Sequence, residues 1–122
     1  MFLGIAANAS AKGDTKLKLY YFHATVRCET CLKIEEFTKN AVNRYFDKEL
    51  KSGKLEMLSL DFLEKKNEKL AKKYKVESQE LILSVQKNGK EIKKINLDKI
   101  WEEIADVEKF QTYIKNQIQK YL

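Results

Sequence analysis

The chain is 122 residues long, 43% hydrophobic and 34% charged, with a net charge of +6. That length supports one domain with its own core and excludes two of ordinary size. The basic excess is lysine except for Arg27 and Arg44, the pattern of a solvated surface rather than of an arginine-led nucleic-acid reader, and no run approaches the ~18 apolar residues of a membrane span.

Residues 1–15 read as a tail and 16–122 as the folded domain. Within the tail, Ala7-Asn8-Ala9 and Ala9-Ser10-Ala11 have the small-x-small form of a signal-peptidase site, although the charged segment and full apolar stretch of a secretory leader are missing. This favours an extracytoplasmic location, where cysteine pairs oxidise readily, over a cytoplasmic one. Lys16 to Phe22 alternates and then becomes continuously aromatic, which predicts a buried strand. His23 to Arg27 is a short loop. From the cysteines to about Leu50, Ile34, Phe37, Ala41 and Tyr45 recur at helical spacing, with Val42 and Phe46 widening the stripe of a core-facing helix. Ser52-Gly53 ends that connection, and Leu55, Met57, Leu58 and Leu60 predict a second strand closing at Asp61.

Phe62 to Tyr74 predicts an amphipathic helix with Leu63, Leu70, Ala71 and Tyr74 inward and Lys65, Lys66, Lys69, Lys72 and Lys73 outward. Leu81 to Val85 and Glu91 to Asn96 form a hairpin about Lys87-Asn88-Gly89, since Asn-Gly supplies the positive φ angles of a tight turn. Asp98 is placed to cap a short helix holding Ile100, Trp101 and Ile104. Asp106 is placed to cap a last one with Val107, Phe110, Ile114, Ile118 and Tyr121 inward. The order β-α-β-α-β-β-α describes an α/β fold with a central mixed four-stranded sheet flanked by helices.

The chemistry-bearing feature is Cys28-Glu29-Thr30-Cys31, the only cysteines, at the junction of the first strand and first helix. Side chains three apart share a face of a helical turn, and the unpaired N–H groups of a helix start favour a thiolate. Cys28 is therefore the candidate nucleophile and Cys31 the resolving thiol. A disulfide closing so short a loop adds little chain-entropy stabilisation, so its value is chemical. Arg27 is expected to lower the Cys28 pKa and Glu29 to raise it, and His23 sits where it could tune the pair or relay a proton. A structural zinc site is the competing reading, but two cysteines and His23 make three ligands where four are usual. No cofactor is implied.

With the cysteines following the first strand in this element order, residues 16–122 resemble the thioredoxin superfamily. The likeness extends to Leu58-Ser59-Leu60-Asp61, to Lys73-Tyr74-Lys75-Val76, and to Leu81–Val85 followed by Lys87-Asn88-Gly89. More narrowly, Tyr20-Tyr21-Phe22-His23 leading to Arg27-Cys28-Glu29-Thr30-Cys31-Leu32-Lys33-Ile34-Glu35 is similar to small bacterial thioredoxin-like proteins labelled as a subunit of a nitrophenyl-compound nitroreductase. The resemblance implies thiol-disulfide exchange. It also exposes departures: Trp-Cys-Gly-Pro-Cys is replaced, Tyr20, Tyr21 and Phe22 occupy the region where thioredoxins carry a buried aspartate, and no proline stands near Gln79 to Leu81 for the family's substrate-facing cis bond.

The expected function is thus a thiol-disulfide oxidoreductase acting on protein or small-molecule disulfides and thiols, as a monomer. The alternatives are a partner or electron-transfer subunit without general disulfide turnover, and a carrier of soft metals or metalloids on the two thiolates.

Overall fold

The computed structural model describes residues 15–122. Strand β1 is Thr15–His23, helix α1 Glu29–Tyr45, α2 Asp47–Ser52, β2 Leu55–Asp61, α3 Glu68–Lys73, β3 Glu80–Lys87, β4 Lys90–Asn96, α4 Ile100–Glu103 and α5 Val107–Gln119. The sheet order is β2-β1-β3-β4, with β1 parallel to β2 and antiparallel to β3, and β3 antiparallel to β4. This is the mixed four-stranded α/β arrangement the sequence implies. All described peptide bonds are trans.

β1 is central because both its faces are apolar. Leu17, Leu19 and Tyr21 point to one side, where Ile34, Ala41 and Val42 of α1 and Phe110, Ile114 and Ile118 of α5 complete the larger core. Tyr20 and Phe22 point to the other, against Ile82 and Tyr74 at the end of α3. Each fully buried side chain of this size stabilises the fold by about 1.5–3 kcal/mol relative to exposure. The larger core therefore lies under the two long helices, and it anchors the helix that begins at the cysteines.

Several elements differ from expectation. The first helix stops at Tyr45, because Phe46 leaves helical dihedrals (φ −130°, ψ 33°) to bury its ring, and a new helix starts at Asp47. Gly53, at φ 82°, ends α2 in the left-handed conformation that glycine adopts at no steric cost. The helix expected over Phe62 to Tyr74 shrinks to a 3-10 turn, Lys65–Asn67, and the six residues of α3. Asp61 explains this: its carboxylate accepts the Leu63 N–H at 2.9 Å and its carbonyl accepts from Asn67 Nδ2 at 2.9 Å, holding the chain in a turn that competes with helix. Leu63 is consequently exposed rather than inward.

Asp98 makes no side-chain cap, and α4 starts after Lys99. In so short a helix Ile100 takes the buried position, which leaves Trp101 45% exposed instead of packed. Asp106 does cap α5, accepting the Glu108 and Lys109 N–H groups at 3.1 and 3.2 Å. The inward stripe of α5 is Phe110, Gln111, Ile114 and Ile118; Val107, in the first turn, faces solvent, and Tyr121 is only partly covered. The tail residues carrying the signal-like pattern lie outside the described residues.

Candidate active site

The junction of β1 with α1 sets the two cysteines just past the carboxyl end of an interior strand of the sheet. Cys28 is the residue that caps α1: its backbone is extended (φ −87°, ψ 169°) and its sulfur accepts the Cys31 N–H at 3.2 Å. Cys31 lies inside the first turn and is 1% exposed, whereas Cys28 is exposed. They are disulfide-bonded, with Cα atoms 5.1 Å apart. The Cys31 backbone is fixed from below by Tyr21, whose hydroxyl donates to the Cys31 carbonyl at 2.9 Å. Burial, reinforced by the negative charge of Glu35, pushes the Tyr21 phenol up to about 12, so it remains a donor across the working pH range.

The first half of the loop entering the motif is held to the end of β2 and the residue after it. Thr25 Oγ1 donates to Asp61 Oδ2 at 2.6 Å, and the Phe62 N–H donates to the His23 carbonyl at 2.9 Å. The Thr25 hydrogen bond outweighs burial and, with the Leu63 amide and the charge of Arg27, holds the Asp61 carboxyl below the usual range. His23 is buried, with Nδ1 2.9 Å from the Ala24 carbonyl and Nε2 2.6 Å from Arg27 Nη2. A carbonyl only accepts, so Nδ1 carries the hydrogen and the Nε2 lone pair receives the guanidinium.

Arg27 is the hub of a second set of contacts. Besides His23 it pairs with the Glu35 carboxylate, which also meets Lys39 Nζ at 3.4 Å. Burial opposes ionisation of Glu35, yet its neighbours overcome this and hold it below the usual carboxylate range: the Ser59 hydroxyl, buried beside it without a well-formed hydrogen bond, and the Arg27 and Lys39 cations. Glu29, by contrast, is exposed and faces Lys33 at 3.7 Å. The structure therefore gathers Cys28, Cys31, His23 and Arg27, and leaves Glu29 on the outer side of the helix.

Glu35, Asp61, Thr25 and the Tyr21 hydroxyl escaped notice in the sequence. Glu35 alone carried a signal, being a charged residue one turn after Cys31 between the inward Ile34 and Thr38. Among the described residues no three His, Cys, Asp or Glu side chains converge as a metal-binding set, and both ring nitrogens of His23 are engaged. The exposed Cys28 is closely preceded in the chain by Val26, which is 85% exposed, and Leu32 lies exposed just past the buried Cys31. A hollow of about 540 Å³ lined by Thr15, Lys16, Gly53 and Asn88 lies at the opposite end of β1.

Two expected results arise from this geometry. Alkylation of the reduced protein should label Cys28 well before Cys31, since only the former is reached by solvent; peptide mapping that found Cys31 modified first would reverse their roles. Because Glu35 and Asp61 ionise more readily folded than unfolded, they contribute stability above the ordinary carboxylate range and lose it as pH falls through their depressed values. Urea midpoints should therefore drop towards acid, and Glu35→Gln should flatten part of that fall. An unchanged acid limb in the variant would refute the assignment to Glu35.

No family model matches the chain, and no curated protein does either. Solved structures do. The germline-specific thioredoxin Deadhead of Drosophila melanogaster is 23% identical over 98% of this chain and 90% of its own, with a TM-score of 0.53. The reduced Schistosoma mansoni thioredoxin pre-protein is 19% identical over 98% of this chain and 91% of its own, at a TM-score of 0.51. The fold is thioredoxin-like, and its cysteine pair stands at the junction of strand and helix.

Proposed function

We propose that the protein is a thiol-disulfide oxidoreductase working through the Cys28–Cys31 couple. The observation that carries this reading is the exposed residue Cys28 at the start of α1, its sulfur receiving a backbone N–H, with Cys31 buried in the first turn. In the reducing direction the Cys28 thiolate attacks one sulfur of a substrate disulfide and expels the other as thiolate. Cys31, deprotonated, then attacks Cys28, releasing the second substrate thiolate and leaving the protein disulfide. The substrate gains two electrons and the protein loses two. The reverse sequence oxidises a dithiol.

A second reading is supported by Glu80, which opens β3 opposite Phe22 in a chain without proline. Its carboxylate is committed to Asn96 Nδ2 at 2.7 Å and the Glu77 N–H at 3.2 Å. A surface built this way suits a dedicated partner, in keeping with the likeness of residues 20–35 to the nitroreductase-subunit proteins, and small disulfides should exchange better than extended peptides. The test compares catalysed reduction of insulin by dithiothreitol with exchange against glutathione. Exchange with glutathione and weak insulin turnover support the partner-specific form; strong turnover of both supports a general oxidoreductase. Absence of both, with one equivalent of arsenite or zinc retained, would replace redox chemistry by a carrier role. An extracytoplasmic site of action is part of this proposal, resting on the small residues at positions 7–11, and cell fractionation tests it.

A further inference from the structure

We propose that Glu35 is the positioning residue of the cysteine couple: by holding the Arg27 guanidinium in a partly buried ion pair it withholds that cation from the Cys28 sulfur, and so keeps the couple less oxidising than the loop's own charges would make it. The inference rests on the redox reading above and concerns what sets its poise.

Arg27 is the residue immediately before Cys28, and a free guanidinium there would be the natural counter-ion of the thiolate. Its hydrogen bonds run elsewhere, to Glu35 and to His23 Nε2. The side chain of Glu35 is 9% exposed and that of Arg27 29%, so their attraction is poorly screened. Burying a carboxylate costs free energy that a nonpolar side chain would avoid, and the neighbouring inward residues of α1, Ile34, Ala41 and Val42, show that this face accepts apolar groups. The charge at position 35 thus has an electrostatic consequence rather than a packing one. Cys31 stands four residues earlier on the same helix face, so the carboxylate's field also reaches the couple directly.

The other ionisable groups facing the site do not replace it. Lys39 is a second partner of Glu35, Glu29 is paired with Lys33 on the outside, and Asp61 is occupied by Thr25 and the Leu63 amide. His23, its Nδ1 hydrogen donated to Ala24, receives the second arm of Arg27 and keeps it turned inward. Release of Glu35 therefore leaves one cation without its counter-charge, tethered only by the neutral His23 acceptor, and that cation belongs to the residue next to Cys28. A stabilised thiolate favours the reduced form, which makes the disulfide a stronger oxidant.

Glu35→Gln keeps the side chain's size and one acceptor oxygen while removing the charge. The ultraviolet titration of the Cys28 thiolate should move down by about half a unit, and the equilibrium with glutathione should shift towards the dithiol by about threefold. The same change made in an Arg27→Gln background should move both by clearly less, because no cation remains to be released. A folded Glu35→Gln protein with unmoved or raised values would overturn the proposal, as would equal shifts in the two backgrounds. Should the variant not fold, Arg27→Gln decides instead: measured relative to neutral hydroxyethyl disulfide, its rate with anionic glutathione disulfide should fall with salt about as steeply as the native rate does, since the net positive charge of the protein acts on both, and a clearly shallower fall would show that Arg27 already serves as a cation at the thiolate. Native protein that exchanged with neither disulfide would defeat the redox reading itself, whereas native exchange with an indifferent Glu35 would defeat only this inference.

Discussion

Cys28→Ser is expected to bring exchange with glutathione or insulin down to the uncatalysed background, while Cys31→Ser should halt after one half-reaction and accumulate a mixed disulfide on Cys28. The asymmetry follows from placement. Only Cys28 is open to a substrate sulfur, and only Cys31 lies behind it to expel the captured thiol. Mass analysis of each variant after incubation with oxidised glutathione reads both outcomes: one glutathione adduct on Cys31→Ser and none on Cys28→Ser. An adduct on Cys31 in the Cys28→Ser protein, formed at a comparable rate, would mean that the buried sulfur is reached by another route and that the roles are not distinct.

The second large effect is structural and arises in the core under the cysteine-bearing helix. Phe110 is fully buried in α5 and meets Phe37 of α1 edge to face, with ring centroids 5.7 Å apart. Phe110→Ala should cost about 3–5 kcal/mol, the usual penalty for emptying an aromatic site in a core that relaxes only partly. Since domains of this size have net stabilities of about 5–15 kcal/mol, the loss is a large share of the total. It should also raise the alkylation rate of Cys31 more than that of Cys28, because α5 is what presses α1 onto the sheet. Urea unfolding at neutral pH checks the first statement and differential labelling the second; a loss below about 1 kcal/mol would show that the two helices do not form one packed layer.

Strands and hairpin were legible in the sequence because their signals are local. The aromatic run Tyr20 to Phe22 needs burial on both faces whatever lies around it, and Asn88-Gly89 specifies its turn without help; Asn88 and Gly89 indeed adopt φ 53° and 79°. Helix limits were less legible because they depend on what a single side chain finds in space. Phe46 fits a helical stripe by spacing, yet the core receives its ring only if the helix ends. Phe62 to Tyr74 fits an amphipathic pattern, yet Asp61 draws the following amides into its own turn. Trp101 and Val107 fit apolar positions of helices too short, or too near their starts, to bury them.

The site divides along the same line. Two cysteines three apart between a strand and a helix mark the candidate site, and their unequal exposure follows from the helical turn. What sequence spacing does not carry is the pairing of charges across elements. Arg27 adjoins Cys28 in the chain, which suggests an interaction with the thiolate, but in space its partners are Glu35, eight residues on, and His23. Asp61 closes the second strand in sequence and fastens Thr25, thirty-six residues earlier, in the fold.

The bond from the Phe62 N–H to the His23 carbonyl, 2.9 Å long, is the rung just past the end of the parallel ladder between β1 and β2. Both strands, being parallel, end there beside the cysteine loop, so the start of that loop stays pinned to the sheet while the rung is closed. The exchange of this single amide proton with deuterated solvent therefore clocks the opening of the site, separately from global unfolding, which the amides at the centre of β1 and β3 report. Its protection, compared between disulfide and dithiol forms, measures how much of the loop's restraint is supplied by the sulfur bridge and how much by the Asp61 anchor beneath it.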